Sequence, residues 1–348
     1  MRVALIGLGR ISNRHINSIL NHDHLELVGV CDVDKQKFSQ NELIENIPFY
    51  DDYLELVLET KPEIVSVLTD SGSHFEIGMK LAELGVNSII EKPLTLTVSQ
   101  ADRMIDKYKL AEKKLFIVKQ NRFNYPLQKF KQALDNGEIG KPFLCNVTVH
   151  WCRSDEYYNQ DEWRGKWISD GGVISNQAIH HLDAMIWLMG PVTSVSSFNS
   201  TFGSDIEVDD TNISIVKFAS GALGTIEATT ATRPENKEGS ITVLGSKGTI
   251  KVGGHAMNKI DYWRTEAANH TATSELNTPR DLNDVYGDGH SKFYNNIYES
   301  LVNNSACDFF GKTGRDSLEL VASLYLSNHL GRIVEVGEDT SCIRLGAG

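Results

Sequence analysis

Two side chains in this 348-residue sequence are set up by their neighbours for proton chemistry, Lys92 and His180. Lys92 closes the run Ile89-Ile90-Glu91-Lys92-Pro93. Proline lacks an N–H and disfavours the α region for the residue before it, so Lys92 is expected in extended geometry where a strand stops pairing. Partial desolvation there would pull a lysine pKa below its ordinary value of about 10.4. Glu-Lys-Pro alone is equally a common surface tripeptide, and only its context singles it out. His180 lies in Asp170-Gly171-Gly172-Val173-Ile174-Ser175-Asn176-Gln177-Ala178-Ile179-His180-His181-Leu182-Asp183. If a helix begins at Ser175, Asn176 and His180 share a face at i, i+4, as do His180 and Asp183 at i, i+3, while His181 points elsewhere. An imidazole with an ordinary pKa near 6.5 suits acid–base work, and His180 is the residue expected to do it. The adjacent histidines are not spaced as metal ligands, the five cysteines are scattered, and no metal site is expected.

These groups need positioning, and the N-terminal sequence supplies it. Val3-Ala4-Leu5-Ile6 is followed by Gly7-Leu8-Gly9-Arg10-Ile11-Ser12, a helix-like stretch with Ile16, Ile19 and Leu20 on one face, then Leu25 to Cys31 and Asp32. Strand, glycine turn, helix, strand and acid form a dinucleotide cradle. Gly7 makes the tight turn, Gly9 admits a pyrophosphate at the helix N-terminus, and Arg10 and Ile11 line that approach. Asp32 lies near the usual spacing, about 20 residues on, for a carboxylate that binds the adenosine ribose. A carboxylate there repels a 2′-phosphate, so NAD is expected over NADP. Ser12 stands where a third glycine is usual. Further βα alternation predicts a parallel, helix-covered sheet. It places Ser71 and His74 on a loop at the same sheet edge as Gly7, Glu91 and Lys92, and all are expected near the cofactor. The first domain is expected to span 1–121.

From Phe143 the pattern changes to strict alternation, with Leu144, Asn146, Thr148 and His150 opposite Cys145, Val147, Val149 and Trp151. Strands are expected near 195–198, 212–218, 222–230, 240–244 and 249–252, separated by hairpin signals. The fold class is therefore α/β: a doubly wound parallel sheet, then an α+β domain (122–348) on an open, largely antiparallel sheet. The stretch 255–288 is polar and reads as an irregular loop or oligomer contact. Between Trp151 and Trp167, aromatics mix with guanidinium groups: Arg153, Tyr157, Tyr158 and Arg164 suit a sugar ring, a base or an anion. Asn176 and Gln177 join them as candidate substrate contacts. Taken singly, each of these residues is as readily explained by core or interface packing.

A net charge of −12 offers no basic face for a phosphate backbone, so nucleic acid is not an expected partner. No apolar run approaches the roughly 18 residues of a membrane span, and Met1-Arg2 leads directly into a strand-like run; a cytoplasmic location is expected.

Taken together, Gly7-Leu8-Gly9, Asp32, Glu91-Lys92-Pro93 and the segment from Gly171-Gly172 to His180 and Asp183 resemble the glucose–fructose oxidoreductase/inositol dehydrogenase/MocA family. The resemblance spans nearly the whole chain, and it rests on the order of the motifs. It implies a Rossmann domain with NAD, a C-terminal sheet that packs in homodimers or homotetramers, and catalytic roles for Lys92 and His180. The family's usual aspartate four residues before the histidine is Asn176 here, which leaves Lys92 and His180 as the pair. Gln120-Asn121-Arg122-Phe123, Trp163-Arg164-Gly165, Asn176 to His181 and Glu227 to Pro234 look more narrowly like the nucleotide-sugar members. Those oxidise the 3-hydroxyl of UDP-N-acetylglucosaminuronic acid in surface-polysaccharide synthesis. An acidic UDP-sugar implies cationic partners, and Arg233 joins Arg153 and Arg164 as a candidate. The expected reaction places a sugar alcohol where His180 takes its proton, Lys92 steadies the developing alkoxide and a hydride leaves to NAD. The rivals are a dehydrogenase of a free inositol or aldose, and an NAD(H)-sensing regulator without catalysis.

Overall fold

The computed structural model describes residues 1–266, 289–305 and 307–347. The chain groups into two compact units, Met1–Gln120 with Asp288–Asp316, and Asn121–Gly287 with Ser317–Gly348.

In the first unit the elements alternate: β1 (Arg2–Ile6), α1 (Ser12–Leu20), β2 (Glu26–Cys31), α2 (Lys35–Ser39), β3 (Phe49–Tyr50), α3 (Tyr53–Thr60), β4 (Ile64–Val67), α4 (His74–Glu83), β5 (Asn87–Ile90), α5 (Val98–Leu110) and β6 (Leu115–Ile117). The six strands are parallel in the order β3-β2-β1-β4-β5-β6. Their residues are buried almost without a break, as expected of a sheet covered on both faces. The order reverses between β1 and β4, the place where doubly wound sheets bind ligands. Thr97 caps α5 and forms a capping box with Gln100, which fixes where the chain re-enters a helix after the Lys92 turn. On α1, Ile16 and Ile19 are buried, but Leu20 is 45% exposed and lies outside the packed face.

The first unit also takes back a later piece of chain. The helix α9 (Gly289–Asn303; α6–α8 are given below) contributes Phe293, Tyr294 and Ile297 to the core, and Tyr294 bonds to His15 of α1. A division at 121 would assign this helix to the second domain. Its buried face instead completes the cover over α1.

In the second unit come α6 (Tyr125–Asp135), β7 (Pro142–His150), α7 (Asp155–Tyr158), a π-helical turn (Val173–Gln177) and α8 (Ile179–Met189). They are followed by β8 (Val192–Ser200), β9 (Thr211–Phe218), β10 (Leu223–Thr229), β11 (Glu238–Gly245), β12 (Gly248–Gly253), β13 (Lys259–Thr265), α10 (Gly311–Leu330) and β14 (Val334–Glu335). Residues of α10 from Ser317 onward belong to this unit. The eight strands run β13-β12-β11-β7-β10-β9-β8-β14; β7 and β10 are parallel and the other neighbours antiparallel. Alternation in β7 is as the sequence predicts, with Cys145, Val147 and Val149 buried. Two expectations change. β13 occupies part of the stretch read as irregular, held by antiparallel pairing to β12, while 267–288 lies outside the described residues. The α-helix begins at Ile179 rather than Ser175, because the preceding five residues form a π turn.

In the first half of β9 the usual polarity is inverted, while Val216 and Phe218 further on are buried as usual. Asn212 and Ser214 face inward, where they bond to Ser197 and Asn199 of β8, while Ile213 and Ile215 face out at 56% and 59% exposure. Phe198, opposite Ile213, is 75% exposed, and Leu223 extends the exposed apolar face. Among the described residues, no helix is long and apolar enough to cross a membrane.

Candidate active site

The glycine turn begins where β1 ends. Gly7 sits at φ +101°, and a Cβ there would lie 2.7 Å from the Leu68 carbonyl carbon, so both conformation and space demand glycine. Gly9 differs: a Cβ there meets nothing of this chain within 4 Å. The protein's own packing does not require this glycine. What a side chain there would obstruct is the approach of a ligand to the helix N-terminus. Asp32, buried at the end of β2, accepts the Leu8 N–H at 2.7 Å and the Asp34 N–H at 2.8 Å, with the Lys37 ammonium 3.5 Å away. Ser12, in place of the third glycine, returns its hydroxyl to the Gly9 carbonyl at 2.7 Å. The turn, the open flank of Gly9 and the terminal carboxylate fit an NAD cradle. Arg10 is exposed beside it and Ile11 half-buried.

Ser71 and His74 are both buried. His74 Nδ1 lies 2.8 Å from the Pro93 carbonyl and Nε2 3.2 Å from that of Thr69, so the ring braces the Lys92 turn against the loop after β4. Burial pulls its pKa down, against the opposing pull of these carbonyls. Lys92 is half-buried just past β5, and its N–H donates to Glu91 Oε2 at 2.9 Å. Glu91 Oε1 lies 3.1 Å from His15 Nε2, and His15 Nδ1 lies 2.8 Å from the Tyr294 hydroxyl. Sequence reading placed Glu91 near the cofactor but missed His15 and Tyr294, for which no local motif speaks.

In the second unit most of the expected substrate residues come together. Arg153 Nε donates to Gln177 Oε1 at 3.0 Å, and Gln177 Nε2 donates to the Tyr157 hydroxyl at 2.9 Å. That hydroxyl also accepts from Arg164. The two guanidinium carbons stand 5.1 and 4.4 Å from the Tyr157 ring centroid, giving a cationic, aromatic surface. Arg164 is paired with Asp161 at 2.9 Å, whereas the hydrogen bonds of Arg153 go to neutral acceptors. Arg233 is exposed and donates to the carbonyls of Thr230, Thr232 and Gly203. Tyr158 separates from the group: it is buried, with its hydroxyl 3.0 Å from Thr230 Oγ1, and serves the core.

The segment before His180 is held by carboxylates that the sequence did not single out. Asp170, buried, accepts the Gly165 N–H at 2.7 Å through Oδ2 and the Asn176 amide through Oδ1. One side chain thus ties the Arg164 loop to the π turn carrying Asn176 and Gln177. His180 is half-buried in the first turn of α8. Asp183, expected on the same helix face as His180, receives a two-point Arg122 fork at 2.8 and 2.8 Å and the Ser317 hydroxyl at 3.1 Å. His181 packs edge-on to Trp151, fully buried, and burial lowers its pKa to about 4, so it is a neutral core residue.

Asp209 explains the second glycine of the pair. A Cβ on Gly172 would fall 2.0 Å from Asp209 Oδ1, and the Gly172 N–H donates to the Tyr325 hydroxyl at 3.0 Å. Burial raises the Asp209 pKa to about 7, opposed by a hydrogen bond from Tyr325.

Comparison with known proteins agrees with the two-part fold. Residues 1–119 match the oxidoreductase family with an NAD-binding Rossmann fold, and 127–251 match the GFO/IDH/MocA C-terminal domain. The WlbA dehydrogenase of Bordetella pertussis, solved with NADH and UDP-GlcNAcA, is 36% identical with a TM-score of 0.92 over 97% of this chain and 98% of that one. Its counterpart from Chromobacterium violaceum, with the same ligands, is 37% identical with a TM-score of 0.89 over 97% and 96%. A myo-inositol 2-dehydrogenase of Thermotoga maritima is 30% identical over 72% of this chain and 74% of its own length.

Two outcomes are expected. Gly9→Val weakens NADH binding about tenfold or more while the melting temperature holds, read by NADH fluorescence titration and calorimetry. Asp209 binds a proton more tightly folded than unfolded, so its contribution to stability is present below pH ~4 and lost as pH rises through about 7. Asp209→Asn therefore gains in melting temperature relative to the parent between pH 5 and pH 8, by about 5 °C.

Proposed function

Because the chain belongs to the GFO/IDH/MocA family of NAD-binding oxidoreductases, we propose that it oxidises an acidic nucleotide sugar. The best-fitting reaction is at the 3-hydroxyl of a UDP-N-acetylhexosaminuronic acid, as a step in surface-polysaccharide synthesis. The chain is an NAD-dependent sugar oxidoreductase, and the proposal concerns which sugar it takes.

The observation that carries this reading is the pair of guanidinium groups flanking Tyr157. A neutral inositol needs hydroxyl partners but no cation. A uronate or pyrophosphate is recognised by arginine through charge-assisted, two-point hydrogen bonds. Arg153 suits that role best, since its charge is not answered by any carboxylate among its hydrogen-bond partners. The similarity to two dehydrogenases crystallised with UDP-GlcNAcA, over nearly the full length, supports the same choice.

Within this reading Lys92 and His180 carry the proton chemistry. His180 takes the proton of the hydroxyl, and the Lys92 ammonium donates a hydrogen bond to the oxygen as it gains charge. NAD, when bound by the glycine turn and Asp32, supplies the hydride acceptor. Gly9 and Asp32 orient it, and Asn176 and Gln177 offer amides for sugar hydroxyls.

Rates of NADH formation with UDP-GlcNAcA, UDP-GlcNAc and myo-inositol test the substrate. The acidic nucleotide sugar is expected to give the highest kcat/KM, and Arg153→Met to raise its KM about tenfold or more with NADH affinity unchanged. A higher kcat/KM for myo-inositol would overturn the proposal. The exposed apolar face of the second sheet further supports a homo-oligomer built through it. Light scattering is expected to report a dimer or tetramer, and Ile213→Lys with Ile215→Lys a smaller species.

A further inference from the structure

Behind Lys92 lies a line of buried side chains that the proposed chemistry does not use. Ser66 Oγ and the Tyr294 hydroxyl are 2.8 Å apart, and that hydroxyl is 2.8 Å from His15 Nδ1. His15 Nε2 is 3.1 Å from Glu91 Oε1, and Glu91 Oε2 accepts the Lys92 N–H at 2.9 Å. The members come from β4, α9, α1 and the end of β5, and all of those side chains are buried. The His290 ring of α9 stands 4.9 Å from that of His15.

Proton counting fixes the direction of this line. Burial raises the Tyr294 pKa, so the phenol is neutral and has one O–H to give. Either Ser66 donates to Tyr294 and Tyr294 to His15, or a protonated His15 donates to Tyr294 and Tyr294 to Ser66. In both, His15 Nε2–H points at Glu91. Burial alone would raise the Glu91 pKa. The His15 hydrogen bond, with the electrostatic contributions of His15, Lys92 and His290, outweighs it and holds Glu91 below the ordinary carboxylate range. Coulomb attraction is mutual, so the charge on Glu91 favours the ammonium form of Lys92 in return.

We infer that Glu91, aimed by His15 and Tyr294, is a positioning residue for Lys92: it fixes the lysine's peptide and holds its side chain as an ammonium. Lys92 is then a hydrogen-bond donor and not the base, which leaves proton acceptance to His180. The inference rests on the reading of Lys92 as catalytic. Among the described residues, the titratable groups facing Glu91 are His15 on α1, Lys92 beside it, His290 and Tyr294 on α9, and His74 on α4. His15, Glu91 and His290 also bring three potential ligand atoms within 4.8 Å. Hydrogen bonds already engage both nitrogens of His15 and both oxygens of Glu91, so no cation is needed to account for the cluster.

The test is the pH dependence of kcat for the parent, Glu91→Gln, Tyr294→Phe and Lys92→Met, with NADH affinity and melting temperature measured on each. Glu91→Gln keeps an acceptor for the Lys92 N–H but removes the charge. Its kcat is expected to fall about tenfold, with the alkaline limb moved about one pH unit lower and NADH affinity within about threefold. Tyr294→Phe is expected to move the limb in the same direction by less, and carries the test if Glu91→Gln does not fold. An alkaline limb that stays in place in the folded variants would make the network merely structural and sink the inference. Stoichiometric transition metal in the active protein would sink it too. Lys92→Met examines the reading beneath: lost turnover with retained NADH affinity upholds it, and turnover at the parent rate removes it whatever Glu91 does.

Discussion

A carboxylate shut away from water must be met by hydrogen-bond donors, and this chain uses that requirement to fix its loops. Leaving such a charge without its partner costs about 3–5 kcal/mol, so the donors are held as firmly as the acid. Asp32 gathers the N–H groups of Leu8 and Asp34 and thereby shapes the glycine turn. Glu91 gathers His15 and the peptide of Lys92. In the second unit Asp170 joins Gly165 to Asn176, Asp183 takes the Arg122 fork, and Asp210 accepts the N–H groups of Phe202 and Gly203. Each pin sits at the root of a segment bearing a candidate site residue or beside one. Asp209 is the exception that clarifies the rule: with fewer donors it is pushed towards its neutral form.

The layers of the fold were legible because they follow local periodicity. Uninterrupted apolar strands alternating with amphipathic helices specify the parallel sheet, and strict alternation from Phe143 specifies the second one. The glycine turn was legible for the same reason, since its parts are neighbours in the chain. The pin at Glu91 was not, because its partners are distant: His15 and Glu91 lie 76 positions apart, and His15 and Tyr294 lie 279 apart. No spacing rule links such residues, and only the folded chain reveals them. The π turn at Val173–Gln177 escaped for a different reason. Its residues are all buried, so hydrophobicity carries no period that separates five residues per bond from four.

In β9 a two-residue period predicts a strand correctly, yet its apolar residues change face along the strand: Ile213 and Ile215 point out, Val216 and Phe218 in. Asn212 and Ser214 are buried because β8 offers them Ser197 and Asn199, a polar ladder in which the side chains of both β9 residues are hydrogen-bonded. The isoleucines between them must then point outward. An apolar face of that size is costly to leave in water, so the polar ladder and the outward isoleucines are two sides of one arrangement.

The substitution of asparagine for the family's usual aspartate at position 176 fits the same logic. A carboxylate at 176 would meet Asp170 at hydrogen-bonding distance, and two buried like charges cannot both stay ionised. With an amide there, Asn176 donates to Asp170, and its carbonyl oxygen remains as a neutral acceptor. The negative charge thus stands one side chain further back, anchored by the Gly165 N–H in the loop of Arg164. For a neutral sugar this shift changes little. For an acidic one it removes a repulsive charge from the turn just before His180, while Arg153 beside Tyr157 bonds only to neutral acceptors. Under the proposed function, an amide at 176 and the guanidinium of Arg153 would act together, each favouring an anion on that surface.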